Sequence, residues 1–339
     1  MKLSATAISV AFLGAFTDAS AHHSSATFNE EVRMSIEGTI VDVDWVNPHV
    51  YLWIEAPNEA GELVTWEVEG QSPAFFRRLG WAREDFAPGT RYSVTGSPHR
   101  DPERVALLLN FIEPAGQATP EDEQTPFLAA LMATPENVQP ATSIAGTWVT
   151  TINPETIGTT FTSESMDLTE RGRAAVDSYV EAEENPGLEC VPYPAPTMMI
   201  VPDIKSIEVS EDVVVIRGEF DGSERMVHLD RADHEGTAPS AHGDSIGHFE
   251  GDALVIDTTN FAPHRAALAD GIPSSPAKHL IERLELSEDR TQLIYSFELT
   301  DPEYLAAPIE LGGMQWWHRP DLEFVDFPCD LESARRFVE

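Results

Sequence analysis

Apolar and polar residues alternate along most of the first third of the chain, as they do in half-buried β-strands. The alternating runs are residues 34–46, 49–56, 62–70, 90–98 and 104–113. Between the third and fourth runs, Ser72 is placed to cap a helix that has Pro73 at its first position and ends at Gly80. Five strands with a helix between the third and the fourth predict an OB-like barrel over residues 22–113.

Short strand-like runs separated by turn residues recur through the rest of the chain. They lie at residues 145–152, 197–201, 205–209, 212–220, 224–230, 245–249, 253–259, 279–286, 291–299, 308–317 and 322–327. A helix is predicted at 170–182, after Thr169 as its cap. So many short strands predict a mainly β domain over 143–339, either an antiparallel barrel or a sandwich. The segment Gly146-Thr147-Trp148 resembles the start of lipocalin barrels, which implies a lipocalin-like fold.

The segments before and after the first predicted domain differ in composition. Residues 1–21 read as a secretory signal peptide, with Lys2 before a short apolar run and Ala19-Ser20-Ala21 as the cleavage site. The apolar run is too short to span a membrane, so we expect a periplasmic or extracellular protein without membrane insertion. Residues 114–142 are rich in Pro, Ala, Thr and acidic residues, which predicts a linker between the domains.

The charge of the chain narrows the range of partners. It has 58 acidic and 21 basic residues, a net charge of −37, and only three lysines, Lys2, Lys205 and Lys278. Nucleic acid and anionic membrane surfaces repel such a chain. We interpret the excess of acid as a soluble surface suited to a salty medium rather than as a patch for a cationic partner.

The chain has two cysteines, Cys190 and Cys329. In an oxidising compartment a single, well-separated pair predicts one disulfide. Closing so long a loop would stabilise the fold by roughly 5 kcal/mol on the chain-entropy model. Neither cysteine stands in a CxxC motif, so we expect the pair to be structural.

The histidines at the predicted cleavage site suggest a copper site. Cleavage after Ala21 would make His22 the first residue, and its α-amine and ring would supply two nitrogen ligands. A ring nitrogen from His49, and also one from His99, would complete a set of nitrogen ligands that favours Cu(II). His23, next to His22, is a further candidate ligand. The loops that hold His49 and His99 flank one face in an OB-like barrel. The alternative is a frayed terminus, with His49 and His99 as ordinary loop residues.

The segment "HGDSIGHFEGD" is a candidate catalytic site in the second domain. If 244–250 is a strand, Asp244 and His248 point to the same face, and inside a barrel they would form an acid–base pair. His242, and His228 from a neighbouring strand, would extend that pair or make a second metal site. The alternative is a hairpin turn at Gly251, which would leave His248 on an exposed face.

Both halves resemble families of bacterial secreted proteins without an assigned activity. The first half resembles proteins with His22-His23-Ser24, the W-x-N-P-H segment Trp45–His49, Ser72-Pro73 and Gly80-Trp81, over about residues 21–113. The second half resembles a β-rich family with G-x-S-x-G-x-W-E-G-D, here Gly243–Asp252, then Glu282-Arg283 and Asp301-Pro302. Phe249 replaces the usual Trp. The resemblance implies an extracytoplasmic chain in two parts.

Three functions are compatible with these patterns. The first is a binding protein with copper at the mature N-terminus and a small apolar molecule inside the second domain. The second is a cofactor-free hydrolase, lyase or isomerase that uses Asp244 and His248. The third is an interaction module without a ligand. The sequence leaves open whether the chain is an enzyme, because it has no nucleophile elbow, P-loop, dinucleotide fingerprint or H-E-x-x-H motif.

Overall fold

The computed structural model describes residues 27–58, 60–117, 119, 133–151, 162–236, 238–268 and 271–337. The predicted signal peptide, His22 and His23 lie outside the described residues, as do 118 and 120–132 of the predicted linker. The described chain forms a closed barrel of five strands followed by a closed barrel of nine. The predicted mainly β fold is therefore confirmed, and the second part is a barrel rather than a sandwich.

The first barrel has the predicted strands and the predicted helix. Its strands are β1 Met34–Trp45, β2 Val50–Pro57, β3 Leu63–Glu69, β4 Arg91–Pro98 and β5 Ala106–Pro114, with helix α1 Pro73–Arg78 after β3 and a 3₁₀ turn at Arg83–Phe86. The strand order is β1-β2-β3-β5-β4, and only β3 and β5 pair in parallel.

Strand β1 closes the first barrel because it bends. Its first half pairs with β4 and its second half with β2, with a register shift between Ile40 and Asp42. At Gly38 a Cβ atom would lie 2.5 Å from the carbonyl oxygen of Glu55, so only glycine fits where the strands meet this closely. The inward apolar positions of all five strands then form one core.

The second barrel contains β6 Gly146–Thr150, β7 Ile204–Val209, β8 Val213–Gly218, β9 Glu224–His228, β10 Asp244–Glu250, β11 Ala253–Thr259, β12 His279–Leu286, β13 Gln292–Thr300 and β14 Ile309–His318. Neighbours pair antiparallel except β9 and β10, whose parallel pairing closes the barrel. Trp316 is fully buried inside while Trp317 is partly exposed, as their alternation along β14 requires.

Three predicted elements of the second domain differ in the structure. Residues 197–201 form a helical turn rather than a strand, the predicted helix at 170–182 stops earlier, and 322–327 is not a strand. The helices are α2 Glu170–Asp177, α3 Glu181–Glu184, α4 Thr197–Ile200 and α5 Leu331–Arg335, with a 3₁₀ turn at Pro186–Glu189. Runs of about five apolar residues fit a strand and a buried helical turn equally well, so periodicity could not separate them.

The last part of the chain returns to the first barrel. We call residues 323–337 the C-terminal strap. The predicted disulfide between Cys190 and Cys329 is present and ties the strap to the second barrel. Phe337 packs with Phe28 and Tyr51 against the outside of the first barrel. The strap therefore contacts both barrels.

Candidate functional site

The interior of the second barrel is filled by side chains. Trp148, Tyr295 and Trp316 are fully buried there. Among them lies a buried ion pair, in which Arg225 Nη1 donates to Glu282 Oε1 at 2.9 Å and the Tyr295 hydroxyl donates to the same oxygen at 2.8 Å. These hydrogen bonds compensate the two charges. The indole nitrogen of Trp316 has no hydrogen-bond partner among the described residues.

Lys278 lies at one end of this barrel, immediately before β12, and is 2% exposed. Its Nζ atom donates to the carbonyl oxygen of Ala195 and lies 4.2 Å from the centre of the Phe261 ring. Within the described residues, no carboxylate oxygen lies within 4.0 Å of Nζ. Burial lowers the pKa of Lys278 to about 7, although the negative charges of Asp301 and Glu282 oppose the shift.

The charge of Lys278 acts on two histidines, His264, which is buried, and His242, which is half-buried. Nδ1 of His264 accepts a hydrogen bond from the Ala266 amide at 3.2 Å, which assigns the ring proton to Nε2. Neither Nε2 of His264 nor Nδ1 of His242 has a partner among the described residues. Burial lowers the pKa of each to about 4, and the charge of Lys278 contributes to both shifts. Both rings are therefore neutral at neutral pH.

A small cavity adjoins this group. Its volume is about 10 Å³, which is room for a single water molecule. Its polar lining comes from Ser274, Lys278 and Asp301, and the rest is mostly apolar. Asp301 is engaged by the backbone amide and hydroxyl of Ser275, each at 2.7 Å, whereas the Ser274 hydroxyl has no partner in the described chain. We call Lys278, His242, His264 and Ser274 the Lys278 site.

The structure does not bring Asp244 and His248 together. They share a face of β10, as predicted, but it is the outer face, because Ser245 between them points inward to Arg225. They are four positions apart along the strand, a distance of about 13 Å. Asp244 is buried and accepts from Arg231 Nη2 at 2.8 Å, whereas the His248 side chain is 65% exposed and lies 3.5 Å from Glu250.

The imidazole beside Asp244 comes from His234, in the loop after β9. Its Nδ1 lies 3.6 Å from Asp244 Oδ2, and its Nε2 lies 3.0 Å from Asp257 Oδ1. Nε2 of His279 approaches the same Asp257 oxygen at 2.9 Å. These residues form a carboxylate–imidazole cluster on the outside of the barrel. Three strands and a loop supply them, so no spacing in the sequence pointed to the cluster.

The remaining histidine prediction for this domain concerned His228. Its Nδ1 lies 3.6 Å from Asp230 Oδ1, and it joins neither the outer cluster nor the Lys278 site. In the described part of the chain, no group of three or more His, Cys, Asp or Glu residues has a geometry that could hold a metal ion.

His49 in the first barrel is engaged by neighbouring residues. It is 3% exposed, and its Nδ1 lies 3.3 Å from Glu69 Oε1 and 3.2 Å from the carbonyl oxygen of Gly70. The cis Asn47–Pro48 bond precedes it, and its carbonyl oxygen accepts from the Ser333 hydroxyl at 3.3 Å. His49 therefore forms part of the contact between the barrel and the strap.

His99 lies on the same side of the barrel but does not reach His49. The ring of Phe337 is 5.9 Å from His99 and 5.9 Å from Tyr51, and Tyr51 is in turn 6.3 Å from His49. The face that the OB-like topology predicts for binding is thus occupied by the end of the strap. The other two predicted ligands, His22 and His23, lie outside the described residues.

The W-x-N-P-H segment holds the strap. Asn47 is 1% exposed, and its Nδ2 donates to the carbonyl oxygens of Glu219 at 2.9 Å and Phe327 at 2.8 Å. The amide of Asp330 donates to the Asn47 carbonyl oxygen at 2.7 Å. Trp45 packs inward against Phe76. Asn47 therefore joins both barrels, whereas Trp45 fills the first.

Comparison with known proteins adds one family. Residues 11–108, fewer than a third of the chain, match the model of a family of unknown function, DUF6152, over most of the first barrel. This match supports the resemblance of the first half to an uncharacterised family. No described helix is both long enough and apolar enough to cross a membrane. No curated protein and no solved structure matches the chain.

Proposed function

We propose that the protein is a small-molecule binding protein whose second barrel recognises a carbonyl or carboxylate oxygen at the Lys278 site. One observation carries the proposal. His242, His264 and Ser274 each have a buried nitrogen or oxygen atom without a partner in the described chain. Ser274 lines the cavity beside Lys278, and the charge of Lys278 acts on both imidazole rings. Buried polar atoms are nearly always hydrogen-bonded, so a cluster of exceptions indicates a missing partner.

The chemistry of the site favours an acceptor of hydrogen bonds. Nε2 of His264 carries the ring proton, Ser274 has a hydroxyl proton, and Lys278 has amine protons beyond the one given to Ala195. An oxygen with two lone pairs would satisfy more than one of these donors. The cavity has room for one water molecule, so a ligand of few atoms fits only if its apolar side displaces part of the leucine lining. A lipocalin-like ligand in the middle of the barrel fits less well, because side chains fill that space.

Thermal unfolding of the full chain with acetate, pyruvate, acetone and propanal tests this proposal. We expect at least one of these compounds to raise the melting temperature of the wild type and of His248→Gln, whose changed side chain is on the outer surface. The shift should disappear in Lys278→Met and in His264→Phe. The proposal fails if no compound shifts the wild type, or if the shift persists in both site variants.

Copper at the N-terminus is the second candidate, in a modified form. Phe28 pairs with His99, and the Arg100 amide donates to the Thr27 carbonyl oxygen at 2.8 Å. The five residue-to-residue steps from His22 to Thr27 span up to about 17 Å, so this pairing supports a copper site of His22 and His99. His49 is left out, because its imidazole is engaged with Glu69.

Titration of copper into the processed protein, followed by electron paramagnetic resonance, tests this second proposal. One extra residue before His22 removes the α-amine ligand while keeping every side chain. We expect tight one-to-one binding that this extension and His99→Gln each weaken at least tenfold, with His49→Gln as the control that leaves it unchanged. Weak binding in the unmodified protein, or binding that the extension does not affect, would exclude the site.

We also propose export to the periplasm or the cell exterior. The disulfide supports this location, since such bonds persist in oxidising compartments. Fractionation of cells that express the full chain, with mass spectrometry of the mature N-terminus, is the test. A product that starts at His22 outside the cytoplasm is expected, and retention of Met1 in the cytoplasm would contradict the proposal.

A further inference from the structure

Lys205 and Lys278 are equally buried, but their surroundings differ. The Lys205 side chain is 1% exposed and its ammonium group forms an ion pair with Asp203, which is itself fully buried. Lys278 has a backbone carbonyl oxygen and an aromatic ring as its closest partners, and no described carboxylate within 4.0 Å. The charge of Lys205 is compensated, whereas an ammonium group at Lys278 would be only weakly compensated.

We propose that Lys278 is a nucleophilic amine that forms an imine with a small aldehyde or ketone. This inference rests on the proposed function of the Lys278 site and narrows its ligand to a carbonyl compound. A desolvated lysine without a carboxylate partner is held as the neutral amine, which has the free electron pair that attack requires. The cavity beside Lys278 and Ser274 has room for one water molecule, so the carbonyl compound must displace part of the leucine lining to bring its carbon to Nζ.

The reaction needs no oxidant or reductant. The nitrogen electron pair attacks the carbonyl carbon, a C–N bond forms, and the π electrons move to oxygen. Oxygen gains one proton and nitrogen loses one, which gives a carbinolamine. The nitrogen pair then forms C=N as the hydroxyl group leaves with a proton as water.

His264 is the residue that we assign to polarise the carbonyl group, through a hydrogen bond from its Nε2. Its ring is buried, its Nε2 proton has no acceptor in the described chain, and its titration responds to the charge of Lys278. The ring keeps its Nε2 proton and donates a hydrogen bond to the carbonyl oxygen, while the proton that the amine nitrogen loses passes to that oxygen. Asp301 accepts hydrogen bonds from the amide and hydroxyl of Ser275 and is not assigned a role in the reaction.

Reductive alkylation of the full chain with propanal and cyanoborohydride tests the proposal, because reduction traps the imine as a stable alkyl-lysine. The sequence contains only Lys2, Lys205 and Lys278, so peptide mass spectrometry assigns every labelled side chain. We expect Lys278 to be alkylated at least tenfold faster than Lys205 at pH 7.5. Its rate should rise through about pH 7, where its amine loses the proton.

The controls separate this inference from the proposed function. In urea, Lys205 and Lys278 should react at similar rates. In the native protein, Lys278→Arg should abolish the fast labelling. A second variant, His264→Gln, should slow the labelling of Lys278. The imine is excluded if native Lys278 reacts no faster than Lys205 although both react in urea. If acetate still stabilises the wild type in that case, the site binds oxygen acceptors but forms no imine. If no compound stabilises it either, both proposals fail.

Discussion

Buried polar side chains in this protein differ mainly in whether a partner of opposite charge reaches them. Arg225 is paired with Glu282, and Lys205 with Asp203, but Lys278 has no such partner in the described chain. No local sequence pattern distinguishes these residues, because each partner is set by the barrel. The sequence therefore suggested Asp244 and His248 as a pair only because they are close along β10. It gave no sign of the contact between His234 and Asp244 or of the Lys278 site.

Replacing Lys278 with Met should stabilise the protein. Met has a similar volume and needs no hydration, so the unfolding free energy at pH 7 should rise by about 1 kcal/mol. The pKa of about 7 in the fold lies below the ordinary lysine value of 10.5. Between these values only the unfolded chain holds the proton, so wild-type stability should rise from pH 7 to pH 10.5, by up to about 1.4 kcal/mol per unit. Below pH 7 both states hold the proton, so this contribution to the pH dependence levels off.

Urea unfolding at pH 7, 8 and 9 measures both effects. The wild type should gain stability across this range, and Lys278→Met should lose that part of the pH dependence. A less stable variant with the wild-type pH dependence would mean that the Lys278 ammonium group is compensated in the fold.

At the scale of elements, local signals were reliable where a pattern was long and unreliable where it was short. Helix α1 was predicted from Ser72, Pro73 and Gly80, and the structure has it at Pro73–Arg78. Arg77 of α1 donates to both carboxylate oxygens of Glu219, at 2.5 and 2.7 Å. This contact was not predictable, because the two residues are 142 positions apart in the sequence. The run 322–327 resembled a strand but forms part of the strap.

Replacing Arg77 with Met should weaken the contact between α1 and the second barrel. Glu219 is fully buried, and without the guanidinium group its charge would be left with the Val325 amide as its main partner. Breaking a buried pair on one side costs about 3 kcal/mol or more. Urea unfolding should show this loss at pH 8.

The matched control is Arg91→Met, which removes the same chemistry from an exposed pair with Glu37. Exposed pairs contribute at most about 1 kcal/mol, so this variant should unfold nearly as the wild type does. Equal losses in the two variants would contradict the inferred importance of burial at Glu219.

At the scale of the whole molecule, the strap joins two barrels that each have a core of their own. Phe337 packs on the first barrel, Cys329 is bonded to Cys190, and Asn47 binds the strap between them. The strap covers the face where the sequence predicted a metal site of His49 and His99. The first barrel therefore uses that face for a contact within the chain.

Removing the disulfide should destabilise the protein and loosen the strap. For a bond that closes 139 positions, the chain-entropy model gives a loss of about 5 kcal/mol in the double variant Cys190→Ser, Cys329→Ser. Denaturant unfolding followed by tryptophan fluorescence measures it, with the single variants as controls for the serine side chains. An unchanged midpoint would show that the strap is held by its other contacts alone.

The sequence by itself determined the mainly β fold, the five strands and helix of the first barrel, most strands of the second and the cysteine pair. These follow from alternation, capping residues and cysteine number, which are properties of short segments or of composition. The tertiary structure alone decided that His234 rather than His248 lies beside Asp244, that Lys278 has no carboxylate partner among the described residues and that the strap covers His49. Each depends on strand register and barrel closure, which bring together residues that are far apart in the chain and that no local pattern relates.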